Sequence, residues 1–320
     1  MPHTYTSKGV SRKDTHGREH LQVDDCACFS ATHFINRQLR ASWRRSSADH
    51  LRIVTHMHDA LLKEPLDIHG NNPLQCELLG PEGFAGSFPL KITEWILSID
   101  TKGEKVGRFS RPGCPNWSVN DLDYFIACSD KLKFLNRVQT IVQLLKDTLG
   151  AQKIKVENPR LNIYVSDSDP IWIVDVSMRN IKPKLSFVQS HHSSLKDVID
   201  NFDISIVKVV FDCKIEMVCA STDVVQNVIS GTASVRDFLM DPKAPTPEQA
   251  HAVCSTIKRM SKYGARGHRF FTYPLLIKSV NMQTWMDTSF WIMTCQFMCP
   301  LHLFFHGKKS VSWLATSVQQ

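Results

Sequence analysis

The sequence predicts a protein of the mixed α/β (α+β) class, with a mixed sheet flanked by helices. In the middle of the chain, segments with strand and helix spacing follow in the order strand, helix, strands, helix, strand. The 320 residues are 42% hydrophobic and 22% charged, which is typical of a globular chain with a sizeable core. This composition argues against wholesale disorder, collagen and coiled coil.

The first third of the chain is the least regular part. Residues 1–50 are polar, basic and without periodicity, and we predict a disordered arm that contributes little to stability. The pattern at 51–62 predicts a short helix. A stretch rich in Gly and Pro at 70–89, a short helix or strand at 91–99 and a polar insertion with loop chemistry at 101–116 follow.

The middle of the chain has the clearest periodicity. Residues 121–127 predict a strand, and 130–149 have apolar residues at helical spacing, with Asp130 as N-cap and Gly150 as C-cap. A short capped helix is expected at 193–199. Four further strands are predicted, at 161–166, 171–178, 185–189 and 202–211.

The predicted boundaries give a core domain at 51–240 and a helical, apolar C-terminal region at 241–320. The latter opens with a helix at 245–262, in which Pro247 takes the first helical position. Residues 290–305 are apolar, but 16 residues fall short of the roughly 20 that span a bilayer, so we expect no membrane association.

Charge and cysteine content restrict the possible partners and compartment. The net charge of +7 permits a phosphate-bearing partner, including nucleic acid, without requiring one. The ten cysteines are irregularly spaced, and the first residues lack the apolar stretch of a signal peptide. We therefore expect an intracellular protein. Its oligomeric state does not follow from the sequence.

Asp121 and Asp123 are the first candidate site residues. Residues i and i+2 of a strand point to the same face, so this pair presents two carboxylates side by side. Crowded carboxylates without a cation are electrostatically costly. Mg²⁺ prefers oxygen ligands and usually shares them with substrate phosphates, so a magnesium site would explain the pair.

Asp203 and the Gly86-Ser87 dipeptide could complete such a site. Asp203 opens a predicted strand, and three carboxylates converge if that strand lies beside the first. Three convergent carboxylates can hold two metal ions for phosphoryl transfer. A small Gly-Ser turn offers a backbone N–H and a hydroxyl to a triphosphate. We predict that Asp121 and Asp203 lie on neighbouring strands of one sheet.

The order of these motifs resembles the nucleotidyltransferase fold of the polymerase-beta type. More narrowly, residues from about 83 to 267 resemble uncharacterised proteins of large DNA viruses and of algae and other protists. The resemblance is carried by GSFPL at 86–90, WSVNDLDYF at 117–125, FDISIVKVVFD at 202–212 and RMSKYGARG at 259–267. Ser87 and Asp121 are 34 positions apart, more than the family usually has, and the polar insertion could absorb the difference as a surface loop.

The resemblance implies Mg²⁺- or Mn²⁺-dependent transfer of a nucleotidyl group from a nucleoside triphosphate to an unknown acceptor. Asp121 and Asp123 would bind both metal ions, and Asp203 would bind the catalytic one and help to deprotonate the attacking hydroxyl. Ser87 and the Gly86 amide would contact the nucleotide phosphates. The alternatives are an inactive binding module with the same fold, and a partner-binding protein whose carboxylates are merely solvated.

Two cations near the end of the last predicted helix are further candidates. Lys262 and Arg266 share one helical face with Arg259, and we predict that Lys262 and Arg266 contact the phosphates of a nucleotide or nucleic acid. The alternative is a solvated basic face near a helix end, where cations are favoured in any case.

Overall fold

The computed structural model describes residues 10–13, 19–23, 26–31, 45–64, 80–98, 104–110, 117, 119–162, 171–214, 216–236 and 247–270. The strands are β1 Val10–Lys13, β2 Glu19–Val23, β3 Cys26–Ser30, β4 Glu82–Ala85, β5 Leu122–Ala127, β6 Ile154–Val156, β7 Arg160–Asn162, β8 Ile171–Met178, β9 Leu185–Ser190, β10 Val209–Asp212, β11 Met217–Ser221, β12 Thr232–Ala233 and β13 Arg269–Phe270. The helices are α1 Arg45–Leu61, α2 Ser87–Leu97, α3 Lys131–Leu149, α4 Leu195–Asp200, α5 Thr222–Ser230 and α6 Pro247–Ala265.

A mixed 11-stranded sheet organises the protein, in the order β1-β2-β3-β11-β10-β4-β5-β9-β8-β6, with β7 also paired to β8. Only β5 and β9 run parallel among its described pairs. On one face, the rings of Phe84, Tyr124, Phe187 and Phe211 pack edge-on or stacked in the main core. The predicted α/β class, with a mixed sheet flanked by helices, is confirmed.

Local sequence signals explain the best-predicted helices. The Asp130 side chain accepts a hydrogen bond from the Lys133 amide at the start of α3, and Gly150 ends the helix at φ 92°. The apolar face of α3 is buried, as its helical spacing predicts: Phe134, Val138, Ile141, Val142 and Leu145. The Ser194 hydroxyl caps α4 in the same way, by accepting from the Asp197 amide.

Part of the segment predicted to be a disordered arm is structured, and the predicted start of the folded domain at 51 is too late. Helix α1 begins at Arg45, and β3 pairs with β11 over five residues. Ala27, Phe29 and Ala31 lie in the main core, each at most 3% exposed. The prediction failed because short strands of small residues and cysteine carry a weak periodic signal.

The strand predicted at 202–211 is shorter than expected. Only Val209–Asp212 form β10, while Ser205–Val207 form a 3₁₀ turn. β10 pairs with β4 and β11, not with β5, so the prediction that the strands of Asp121 and Asp203 are neighbours is wrong. Alternating apolar residues at 202–211 favour a strand, but Ile206 and Val207 are both buried, as a tight turn on the core allows.

The Gly-rich stretch at 70–89 contains structure that its composition does not predict. Glu82–Ala85 form β4, and α2 begins directly after it at Ser87. The C-terminal helix is confirmed as Pro247–Ala265. Among the described residues, no helix is long and apolar enough to cross a membrane, and the apolar segment 290–305 lies outside them.

An ion-pair cluster joins α1, α3 and β4 at the sheet end where β4 begins. Arg137 contacts Glu64, and its Nε donates to Glu82 Oε2 at 2.7 Å. Lys214 Nζ donates to Glu64 Oε2 at 2.7 Å. Burial alone would raise the pKa of Glu64, but Arg137 and Lys214 outweigh it and lower that pKa.

Replacing Arg137 by Met is expected to cost about 3 kcal/mol of unfolding free energy at pH 7, because two largely buried carboxylates lose their main partner. Urea unfolding measures the loss, and Lys133→Met, which removes an exposed cation from the same helix, is the control. The pKa of Glu64 is lower in the folded state, so its pairing stabilises the fold above the unfolded pKa of 4.5. The penalty should therefore shrink as the pH falls below that value. A penalty that is independent of pH would show that Arg137 acts through packing alone.

Candidate active site

The Gly86-Ser87 turn and the start of β5 lie at the same end of the sheet. β4 and β5 are antiparallel, with Phe84 opposite Tyr124, so the chain leaves β4 where β5 begins. Gly86 adopts φ 89°, a conformation that strains any L-residue. Ser87 is the first residue of α2 and is buried. The structure therefore brings this turn to the end of the sheet that carries Asp121 and Asp123.

Asp123 lies in a polar row that crosses three strands. Asp123 on β5 is opposite Ser186 on β9, and Ser186 is opposite Asp175 on β8. Ser186 Oγ donates to Asp175 Oδ1 at 2.6 Å, and Arg160 Nε lies 3.4 Å from Asp175 Oδ2. Because all three residues are in register, Asp123 and Asp175 lie on the same face of the sheet.

An apolar row on the same face adjoins this polar row. Phe125, Ile173 and Val188 pack together one register step further along the strands. The polar row thus lies between this apolar row and the end of the sheet that carries the Gly86-Ser87 turn. A ligand would reach it at the end of the sheet where β5 begins.

Asp123 is electrostatically strained. Burial, followed by the neighbouring carboxylate of Asp121, raises the pKa of Asp123 from 3.8 to about 7. Asp175 adds to this effect, while Lys262 opposes it. Asp121 itself is exposed. The crowded pair predicted from sequence is therefore present, and a cation placed beside it would relieve its repulsion.

Asp203 does not lie on a strand and has other partners. Its Oδ2 accepts from Arg259 Nε at 3.1 Å and from the Thr256 hydroxyl, both on α6. Its backbone carbonyl accepts from the Arg236 amide at 2.7 Å. The structure thus places Asp203 as an anchor for α6, and the sequence pattern that suggested a strand residue reflects a turn.

Lys262 and Arg266 are brought to the acidic pair by α6. Neither side chain is fully exposed, as a purely solvated face would require. Burial, then the charge of Arg266, lowers the pKa of Lys262, while Asp121 and Asp123 act in the opposite direction. The Arg266 guanidinium carbon lies 3.8 Å from the centre of the Trp117 ring and 5.0 Å from that of Tyr263.

Two residues of this site, Asp175 and Ser186, were missed by sequence reasoning. A faint signal exists, since Asp175 is the only charged residue of the strand IWIVDVSM. A charged residue inside a strand flanked by core residues needs a partner or a function. The register that aligns it with Asp123 depends on the pairing of β8 and β9, which local sequence does not encode.

Of the predicted magnesium ligands, only the pair Asp121 and Asp123 lies together at this edge. Among the described residues, no group of three or more His, Cys, Asp or Glu side chains is placed to hold a metal ion. Mg²⁺ is often bound by one or two carboxylates together with substrate phosphates, and the raised pKa of Asp123 marks a place where positive charge is favourable. The donor set therefore fits an ion that is completed by a substrate.

No protein-family model and no curated protein matches the chain. Its structure is similar to a tRNA-processing enzyme in an apo form, with 12% identity, a TM-score of 0.39, and 70% of this chain and 50% of that one covered. A CCA-adding enzyme with CTP has 9% identity and a TM-score of 0.39, with 85% and 50% covered. A candidate nucleotidyltransferase from H. pylori has 9% identity and a TM-score of 0.26, with 82% and 99% covered. The chain spans about half the length of the first two.

Proposed function

We propose that the chain is a Mg²⁺-dependent nucleotidyltransferase that uses a nucleoside triphosphate as donor. The observation that carries the proposal is the strained pair Asp121 and Asp123 at the sheet end where Gly86 and Ser87 open α2. Acidic groups for a cation and an N-terminal helix turn for phosphates are the two things that a metal-bound triphosphate needs.

The phosphates would lie at the start of α2. The first N–H groups of a helix have no partner within the helix and attract anions. Ser87 adds a hydroxyl, and Gly86 has open space where a side chain would begin, with nothing within 4 Å. Lys262 and Arg266 would supply positive charge from α6, on the side of Asp121 and Asp123.

Asp121 and Asp123 would hold the magnesium ion, which supplies neutralisation of charge on the phosphates when it is bound. We assign the third carboxylate to Asp175, because it shares a row with Asp123 whereas Asp203 is tied to α6. In the transfer, an acceptor hydroxyl forms a bond to the α-phosphorus and the bond to pyrophosphate breaks. The hydroxyl proton passes to the Asp175 carboxylate.

Label transfer tests this assignment. The protein is incubated with each α-labelled nucleoside triphosphate and Mg²⁺ or Mn²⁺, with EDTA as the metal-free control. Asp175→Asn should lower transfer by about 100-fold or more, the scale of removing a group that acts on the reacting atoms. Asp203→Asn should lower it by about 10-fold or less and chiefly destabilise the protein, because Arg259 loses its charged acceptor and Thr256 shares the remaining amide oxygen. The reverse order of effects would return the role to Asp203.

A binding module without catalysis is the second candidate. It is favoured by the contacts of Asp175, whose two oxygens are already engaged by Ser186 and Arg160. This alternative predicts that a triphosphate with Mg²⁺ raises the melting temperature while no label is transferred to any acceptor. A merely solvated acidic surface is disfavoured, because the pKa of Asp123 is raised by burial.

A further inference from the structure

A fully buried carboxylate, Glu94 of α2, accepts hydrogen bonds from three residues that lie 14, 23 and 174 positions away in the chain. Its Oε1 accepts from Arg108 Nη2 at 2.6 Å and from His268 Nε2 at 2.9 Å, and its Oε2 accepts from Trp117 Nε1 at 2.7 Å. We call these four residues the Glu94 cluster. Arg108 lies within the polar insertion at 101–116, Trp117 directly follows it, and His268 follows α6. The cluster therefore joins α2, the insertion and the end of α6.

The Glu94 cluster is charged and shielded from water. The side chains of Glu94 and His268 have no exposed surface. Burial by itself would raise the pKa of Glu94, but hydrogen bonds and charges from His268 and Arg108 outweigh it and lower that pKa. Arg108 Nε also donates to the Val228 carbonyl at 2.7 Å, which fixes the guanidinium between α2 and α5. Groups held by several charge-assisted bonds keep one geometry.

Two members of the Glu94 cluster contact Arg266 or the turn that carries it. Trp117 offers its ring to the Arg266 guanidinium, and its carbonyl accepts from Lys91 Nζ at 2.5 Å. The His268 amide bonds to the Tyr263 carbonyl, which closes the turn that contains Arg266. Trp117 also precedes Asp121 by four residues. Glu94 therefore contacts both the residue on which Arg266 stacks and the residue that closes its turn.

We propose that Glu94 is a positioning residue that holds Arg266 beside Asp121 and Asp123, acting through Trp117 and His268. The inference rests on the proposed function, in which Arg266 contacts the triphosphate. It extends that function by assigning a role to a carboxylate outside the acidic pair and to the polar insertion. A buried carboxylate kept only for packing could be exchanged for its amide without affecting anion binding.

The main test compares Glu94→Gln with Glu82→Gln. The amide introduced by Glu94→Gln keeps the shape of the side chain but turns an NH₂ group towards existing donors. Glu82 is a matched control, because it is a largely buried carboxylate paired with Arg137 at the opposite end of β4. The probe is inorganic tripolyphosphate with Mg²⁺, followed by calorimetry on the full chain. Glu94→Gln should raise the Kd for tripolyphosphate about 10-fold, which corresponds to about 1.4 kcal/mol of binding free energy. Glu82→Gln should leave this Kd unchanged.

A double-mutant cycle with Arg266→Gln decides whether Glu94 acts through Arg266. Each single change should weaken binding about 10-fold, and the double change also about 10-fold rather than about 100-fold. Additive effects would overturn the inference. Should Glu94→Gln fail to fold, Trp117→Phe replaces it in the cycle, since it removes the indole N–H and keeps a ring for Arg266. Its expected effect is about 3-fold, again without additivity.

A readout without any ligand separates this inference from the proposed function. The indole N–H resonance of Trp117, assigned with Trp117→Phe, should move in Glu94→Gln and in Arg266→Gln but not in Glu82→Gln. An unmoved resonance in Glu94→Gln or Arg266→Gln would overturn the positioning role. If the wild-type chain does not bind tripolyphosphate, the proposed function fails, and the resonance alone still decides whether Glu94 positions Trp117 and Arg266.

Discussion

A chain without residues 1–31 is expected to lose cooperative folding. This truncation removes β3, whose five residues pair with β11, and it removes Phe29 and Ala31 from the main core. Losing one buried aromatic side chain typically costs about 3–5 kcal/mol, a large part of the roughly 5–15 kcal/mol that stabilises a domain. The free edge of β11, with Val218 and Ala220, would also invite aggregation.

Near-ultraviolet circular dichroism and thermal unfolding measure this loss. A truncation of residues 1–9, which retains β1 to β3, is the control and should unfold like the full chain. Phe29→Ala should fall between them, with a loss of about 3 kcal/mol. A chain lacking 1–31 that melts cooperatively at the full-length temperature would show that β1 to β3 are a dispensable addition to the sheet.

The elements that sequence predicted well are those whose own residues carry the signal. α3 has an N-cap, a C-terminal glycine and a complete apolar face, so its limits follow from local chemistry. β5, β8 and β9 alternate or continue apolar residues in the way that buried strands require. Their pairing could not be predicted, because it depends on contacts between segments far apart in the chain.

The acidic pair could be predicted and its surroundings could not. Asp121 and Asp123 follow from a two-residue period on one strand, which is a local property. Asp175 joins them only through the register of β8 on β9 and of β9 on β5. The same limit explains Asp203, whose partners Thr256 and Arg259 lie more than fifty residues along the chain. The sequence singled out Asp203 as a candidate carboxylate, but it did not indicate that the partners of Asp203 lie on α6.

The polar insertion shows a further limit of composition. Its residues predict a surface loop, yet Phe109 is 1% exposed, and Arg108 bonds to a buried carboxylate together with Trp117, which directly follows the insertion. Polar and aromatic residues predict a surface loop when the buried group that they contact is unknown. Because Glu94 lies on the buried face of α2, these residues are the hydrogen-bond donors that its buried negative charge requires.

Asp123→Asn is expected to stabilise the metal-free protein at pH 8 and to lower nucleotidyl transfer by about 100- to 1000-fold. The pKa of Asp123 is raised from 3.8 to about 7, so the folded state binds a proton more tightly than the unfolded state does. Wild-type stability therefore falls as the pH rises from about 4 to about 7. The rise in the pKa of Asp123 corresponds to about 4 kcal/mol of unfolding free energy. We expect Asp123→Asn to recover at least about 1 kcal/mol of it at pH 8.

Urea unfolding of both proteins in EDTA at pH 4 and pH 8 measures this effect. Asparagine does not titrate, so the two proteins should be equally stable at pH 4, and the variant should be the more stable at pH 8. Asp147→Asn, a change at an exposed carboxylate of α3, should show no such pH-dependent gain. Adding Mg²⁺ at pH 8 should stabilise the wild type, because the ion relieves the repulsion between the carboxylates of Asp121 and Asp123. The variant has only one of these carboxylates, so its stability should not change. A variant that unfolds earlier than the wild type at pH 8 would instead identify Asp123 as a structural hydrogen-bond acceptor, and the magnesium site would have to be abandoned.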